Sequence, residues 1–156
     1  MVLEDQLVFP YMGTSGIAPN GHRGMYTGGS IGLATLRRDG FASMDGPGEL
    51  TTRAVKFTGK HLFVNSAGEL SVVVRDASGT VLATSRPQAG DATKRRIEWL
   101  GIADLSAFAE KPVRFGFSLG SGSLYSFWVA PDEGGASNSY VGAGGPAFNG
   151  VRDTPH

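Results

Sequence analysis

Apolar and polar residues alternate along this chain in short stretches punctuated by glycine. In VRFGFSL (113–119), Val113, Phe115, Phe117 and Leu119 fall on one side, the period-two spacing of a half-buried strand. ELSVVVRD (69–76) likewise sets Leu70, Val72 and Val74 against Ser71, Val73 and Arg75. Asp76-Ala77-Ser78-Gly79 then supplies a four-residue connection with glycine late in the turn, and TVLATS runs back to complete a hairpin. SIGLATLRR places Ile31, Leu33 and the methyl of Thr35 together, and HLFVN (61–65) turns Leu62 and Phe63 to opposite faces. LTTRAVKF (50–57) pairs Val55 with Phe57, and RRIEWLG (95–101) pairs Ile97 with Trp99. QLVFPYM (6–12) is a first strand, held to an edge or a bend by Pro10. SLYSFWVA (123–130) closes the sheet after a turn at Gly120–Gly122. Its two alternating sets, Leu124/Ser126/Trp128 and Tyr125/Phe127/Val129, both carry large aromatics, so the strand reads as covered on both sides.

The segments between these strands are turn-like. The chain holds 24 glycines and 8 prolines, a composition suited to many short strands. Residues 13–29 form a Gly-rich loop, and Arg38-Asp39-Gly40 a turn in which Gly40 takes positive φ. Residues 104–109 predict a single helical turn with Asp104 as its N-cap. From 133 onward periodicity is lost, and the segment reads as a tail that packs through Tyr140 and Phe148. The expected fold is all-β: a jelly-roll-like antiparallel β-sandwich over 30–131, preceded by an N-terminal strand and loop (1–29) and followed by a Gly/Ser/Asn-rich tail (132–156).

Charge narrows the partners. Lys plus Arg and Asp plus Glu number 14 each among 156 residues, for a net charge of zero. Such a balance gives no electrostatic ground for nucleic acid or an anionic membrane as partner. The one basic run, Lys94-Arg95-Arg96, lies near Asp91 and Glu98 and reads as a solvated strand end. The absence of cysteine excludes disulfides and thiolate chemistry. No apolar run reaches the ~20 residues of a membrane span, and MVLEDQLVF has acids where a signal peptide carries bases.

Four kinds of chemistry come into question. Gly28-Gly29-Ser30-Ile31-Gly32 fits the G-x-S-x-G pattern of a nucleophile elbow. An elbow needs a helix after the serine, whereas strand-like alternation follows Ser30. A serine-esterase reading would draw on His22 or His61, with His156 the remaining histidine. No histidine spacing marks a metal site, so no metal ligand is assigned; a structural calcium held by loop acids such as Asp76, Asp91 or Asp104 stays open beside their turn and capping roles. Most acids fall in turns or at strand ends, away from apolar strand surroundings that would raise a pKa for glycoside hydrolysis. Aromatic residues are the fourth. Tyr26, Trp128, Tyr125, Tyr140 and Trp99 are the candidates for stacking on sugar rings, although both tryptophans read more readily as core, Trp99 above all because it shares a face with Ile97.

Taken in order, IGLATLRRDGF, HLFVN, LSVVVRDASGTVL, ADLSAFAEKPVRFGFSL and SLYSFWV resemble the C-terminal region of bacterial glycoside hydrolase family 32-like proteins, which join a five-bladed β-propeller to a β-sandwich. The resemblance spans about 30–130. It implies that LATLRRDGF runs from a last propeller strand into the sandwich, with QLVFPYM paired to SIGLATL. That family's catalytic acids belong to the propeller, and no stretch here matches them, so no catalytic residue is carried over. The implied role is a non-catalytic, carbohydrate-associated module binding a polysaccharide or oligosaccharide. The alternatives are a structural domain packed on a catalytic propeller, or the Ser30 esterase. An extracellular or periplasmic setting is implied by the same resemblance.

Overall fold

In the computed structural model, residues 1–142 and 144–154 are described. The architecture is all-β and antiparallel, in two sheets. Strands β1 (Val2–Leu3), β2 (Gln6–Thr14) and β3 (Gly29–Arg37) make a three-stranded sheet. The others, β4 (Met44–Asp45), β5 (Gly48–Thr51), β6 (His61–Asp76), β7 (Val81–Thr84), β8 (Asp91–Arg96) and β9 (Val113–Ala130), make a six-stranded sheet.

The sandwich is built from one long strand pair folded over. β6 and β9 run beside each other for nearly their whole length, and register breaks between Gly68 and Leu70. There Gly68 (φ 88°) and Gly122 (φ 138°) occupy backbone conformations closed to L side chains. A Cβ on Gly122 would lie 2.0 Å from the Ala67 carbonyl oxygen. On one side of this bend β4 and β8 flank the pair; on the other, β5 and β7 do. The halves close on each other, bringing Phe117 of the first half of β9 to 4.8 Å from Phe127 of the second. Leu62, Val64, Leu70, Val72, Val74, Phe115 and Phe117 fill the space between, all almost inaccessible to water. HLFVN with ELSVVVRD, and VRFGFSL with SLYSFWVA, are therefore each one continuous strand; Gly120–Gly122 bends β9 instead of reversing it.

The alternation predicted for these strands holds, with one reset besides the break at the bend. Asn65 pairs Ser126 while Ser66 pairs Leu124, so Tyr125 is an extra residue on β9. This bulge exchanges the faces of everything after it. Leu124 before it and Phe127 beyond it both reach the core, while Trp128 turns to the outer face.

Several local expectations are refined. The Asp76–Gly79 hairpin forms, with Asp76 Oδ1 accepting from the amides of Ser78 and Thr80 at 2.9 Å each. Of the 50–57 region only Leu50 and Thr51 are in a regular strand, as the end of β5, with an isolated bridge from Val55 to Val113. The strand expected at 95–101 lies earlier, at 91–96, yet Ile97 and Trp99 are both core. A 3-10 turn spans Ser106–Phe108, with Asp104 Oδ1 accepting from the Ser106 amide at 2.8 Å. At Arg38-Asp39-Gly40 the left-handed residue is Asp39 (φ 53°), a conformation aspartate tolerates. Gly40 serves close approach instead, since a Cβ there would meet Arg37 at 2.7 Å.

The segment after Pro131 packs on the sandwich, chiefly through Gly135 and Ala136 and not through Tyr140, which is exposed. It is laced to itself by Asn138 N–H to Asp153 O and Asp153 N–H to Ser139 O, and to the N-terminus by Val2 N–H to Gly144 O. Phe148 does pack, beneath the Arg38 guanidinium at 5.2 Å.

Candidate functional site

Ser30 lies inside β3, paired with Gly13, and the strand continues to Arg37. Ser30 therefore does not stand at the strand-turn-helix junction of a nucleophile elbow. His22 is in the loop after β2 and His61 opens β6; His156 lies outside the described residues. The three acids considered for calcium are engaged with protein groups. The Ser78 hydroxyl, then the Thr80 amide, hold Asp76 below the usual carboxylate range. The Ser106 hydroxyl, then its amide, do the same for Asp104. Asp91 accepts from Arg37. Among the described residues no three of His, Asp or Glu converge as a metal-holding group.

The five aromatic candidates do not share one surface. Trp99 is 6% exposed inside the core and has no face for a ligand. Its expected availability is corrected by the irregular 97–101 segment, which turns the indole inward beneath the Ser85 bridge. Tyr125, at the bulge, is half-buried with the Arg37 guanidinium 4.7 Å from its ring centre. Tyr26 is 79% exposed in the loop between β2 and β3 and does not line the cleft that holds Trp128. Trp128 and Tyr140, by contrast, line the same cleft.

That cleft, about 510 Å³, lies between β8 (Thr93 and Lys94) and β9 (Ser126 to Trp128), the base of β1–β2, the Arg38–Phe41 turn, and residues 137–142 with Asp153. Phe9, Phe41, Trp128 and Tyr140 give it aromatic walls. Trp128 is fixed in place: it stacks on Phe63 at 5.7 Å and 14°, and its Nε1 donates to the Gly135 carbonyl at 3.0 Å. Charges at the wall come in opposite pairs, Arg38 and Lys94 with Asp39 and Asp153. Arg38 and Asp153 approach to 3.5 Å, and Asp153 also accepts from the Ser137 hydroxyl at 2.9 Å. Ser126, in the floor, has a buried hydroxyl without a hydrogen-bond partner.

A second feature stands beside the cleft. β2 and β3 pair along their full nine residues as a ribbon. Only the ribbon's base, at Leu7 and Val8, is buried. Farther out, Met12, Ile31 and Leu33 are 72%, 82% and 67% exposed on one face, and Phe9 and Tyr11 are exposed on the other. Between Gln6 and Leu36 the only fully charged residue is Arg23. No strand of the described residues pairs with the outer edge of β3. The ribbon's angle is held by Arg37, which donates to Asn65 Oδ1 at 2.7 Å and Asp91 Oδ1 at 2.5 Å, while Asn65 Nδ2 donates to the Arg38 carbonyl at 2.6 Å.

Sequence reasoning named Trp128 and Tyr140 but missed Phe9, Phe41, Lys94 and Asp39 as their neighbours. Those four come from three separated segments, and nothing in local spacing joins them. It placed Ile31 and Leu33 on one face correctly, without indicating that the face is uncovered. No family model, curated protein or solved structure matches the chain.

Proposed function

We propose that the chain is a non-catalytic accessory β-sandwich whose N-terminal ribbon docks into an apolar β-structured partner, a catalytic β-propeller in the carbohydrate-active setting that the sequence resemblance implies. The observation that carries this reading is the ribbon: a stiff pair of strands, nearly uncharged, apolar on both faces and open along one edge. A two-stranded ribbon of that kind is marginal alone in water. Exposed contiguous apolar surface on an otherwise well-packed domain marks an interaction site. Strands apolar on both faces are typical of sheets covered on both sides, and the unpaired edge of β3 offers backbone donors and acceptors to a further strand. The buried Asn65 and its bonds to Arg37 and Arg38 fix how the ribbon leaves the sandwich.

The test is to place charge on the ribbon. Ile31→Lys with Leu33→Lys touches residues that no core side chain covers, so unfolding free energy should change by less than about 1 kcal/mol. Binding of a hydrophobic dye such as ANS to the native protein should fall to a small fraction of the unsubstituted level. Strong destabilisation, or no dye binding by the unsubstituted chain, would count against the reading.

Polysaccharide recognition is a second reading, favoured by a separate observation: the cleft that brings Trp128 and Tyr140 together.

A further inference from the structure

We propose that the cleft bounded by Phe9, Phe41, Trp128 and Tyr140 binds a neutral oligosaccharide. The inference deepens the second reading and does not rest on docking of the ribbon.

Size comes first. A volume of about 510 Å³ lies inside the roughly 300–1,000 Å³ range of small-molecule sites, so it admits a short oligomer and not a folded chain. Wall chemistry comes next. Phe41 and Tyr140 are largely exposed, Phe9 partly so, and Trp128 is half-buried. Aromatic faces standing in water around a concavity suit a ligand with apolar C–H patches. A sugar ring presents such patches on its faces and hydroxyls around its rim.

Order in the free protein matters too. Trp128 is already clamped between Phe63 and the Gly135 carbonyl, so little side-chain freedom is lost when a ring settles on it. Charge then selects among ligands. Two cationic and two anionic side chains line the cleft, and Arg38 and Asp153 already neutralise each other. An anionic or cationic ligand finds no net field. Sugar hydroxyls, which both donate and accept, can use Lys94, Asp39 and the Ser139 hydroxyl together. A purely apolar ligand would strip water from Lys94 and Asp39 without replacing it.

The chain has two tryptophans, so its two indole N–H signals in a nitrogen–proton correlation spectrum separate the cleft from the core; Trp128→Phe assigns them. The probes are cellotetraose, xylotetraose, maltotetraose and nystose, with tetragalacturonate as the charged control. At millimolar concentration, at least one neutral probe should shift the Trp128 signal saturably and leave the Trp99 signal in place. Tyr140→Ala and Phe41→Ala, both at exposed positions, should each weaken that binding by about tenfold. Tyr26→Ala should leave it unchanged. The proposal is overturned if no neutral probe moves the Trp128 signal, if tetragalacturonate binds more tightly than all of them, or if both cleft variants bind as well as the unsubstituted chain. None of these outcomes bears on dye binding by the ribbon, so this inference and the docking reading can fail separately.

Discussion

Asp76 shows what a single side chain contributes to this fold. Its carboxylate closes the β6–β7 turn by accepting from the Ser78 hydroxyl at 2.6 Å and from the Ser78 and Thr80 amides. The Ser78 hydroxyl first, then the Thr80 amide, lower its pKa from 3.8. A lowered value means that the folded state binds the proton less readily than the unfolded chain. The associated stability is therefore present above 3.8 and disappears as pH falls through the lower folded value. Asp45 and Asp104 shift in the same direction, so acid sensitivity is shared. The difference in Tm between the unsubstituted protein and Asp76→Asn isolates this turn. It should shrink on acidification from neutral pH to below 3.8; a difference that stays constant would contradict the assignment. This turn was legible from Asp76 and Gly79 alone, because its chemistry is local. Tyr125 was not: one extra residue on β9 reverses the faces beyond it, and only the pairing of Asn65 with Ser126 and Ser66 with Leu124 reveals it.

β6 and β9 carry the sandwich, and their bend decides whether it closes. Gly122→Ala forces a Cβ to 2.0 Å from the Ala67 carbonyl oxygen at a φ of 138°. The substitution should cost about 2–4 kcal/mol in chemical denaturation. Gly13→Ala on β2, where an added Cβ meets nothing within 4 Å, should stay within about 0.5 kcal/mol. Equal effects of the two would mean that the bend does not depend on its glycines. Phe117 is 1% exposed and packs against Phe115 and Phe127, so Phe117→Ala should lose roughly 3–5 kcal/mol. The alternation of Val113 to Leu119 announced that core. The continuity of β9 through Gly120–Gly122 was hidden, because a glycine cluster signals a hairpin turn and a mid-strand bend equally well.

At the scale of the whole molecule, a tightly packed sandwich carries a ribbon that its own core does not cover. Ile31 and Leu33 alternate as cleanly as Leu70 and Val72, yet one pair is exposed and the other sealed. Periodicity reports which residues share a face and is silent about what lies opposite it, so the uncovered ribbon emerges only in three dimensions. The cleft is similar: Trp128 stood out as an aromatic residue, but Phe9, Phe41 and Tyr140 meet it only once the chain is folded. Sedimentation velocity over a wide range of protein concentration tests the ribbon most directly. An apolar docking surface without its partner should drive association that grows with concentration, and Ile31→Lys with Leu33→Lys should return the chain to a monomer of unchanged shape. A chain that sediments as a monomer at every concentration, or a variant that associates as strongly as the unsubstituted protein, would contradict the account.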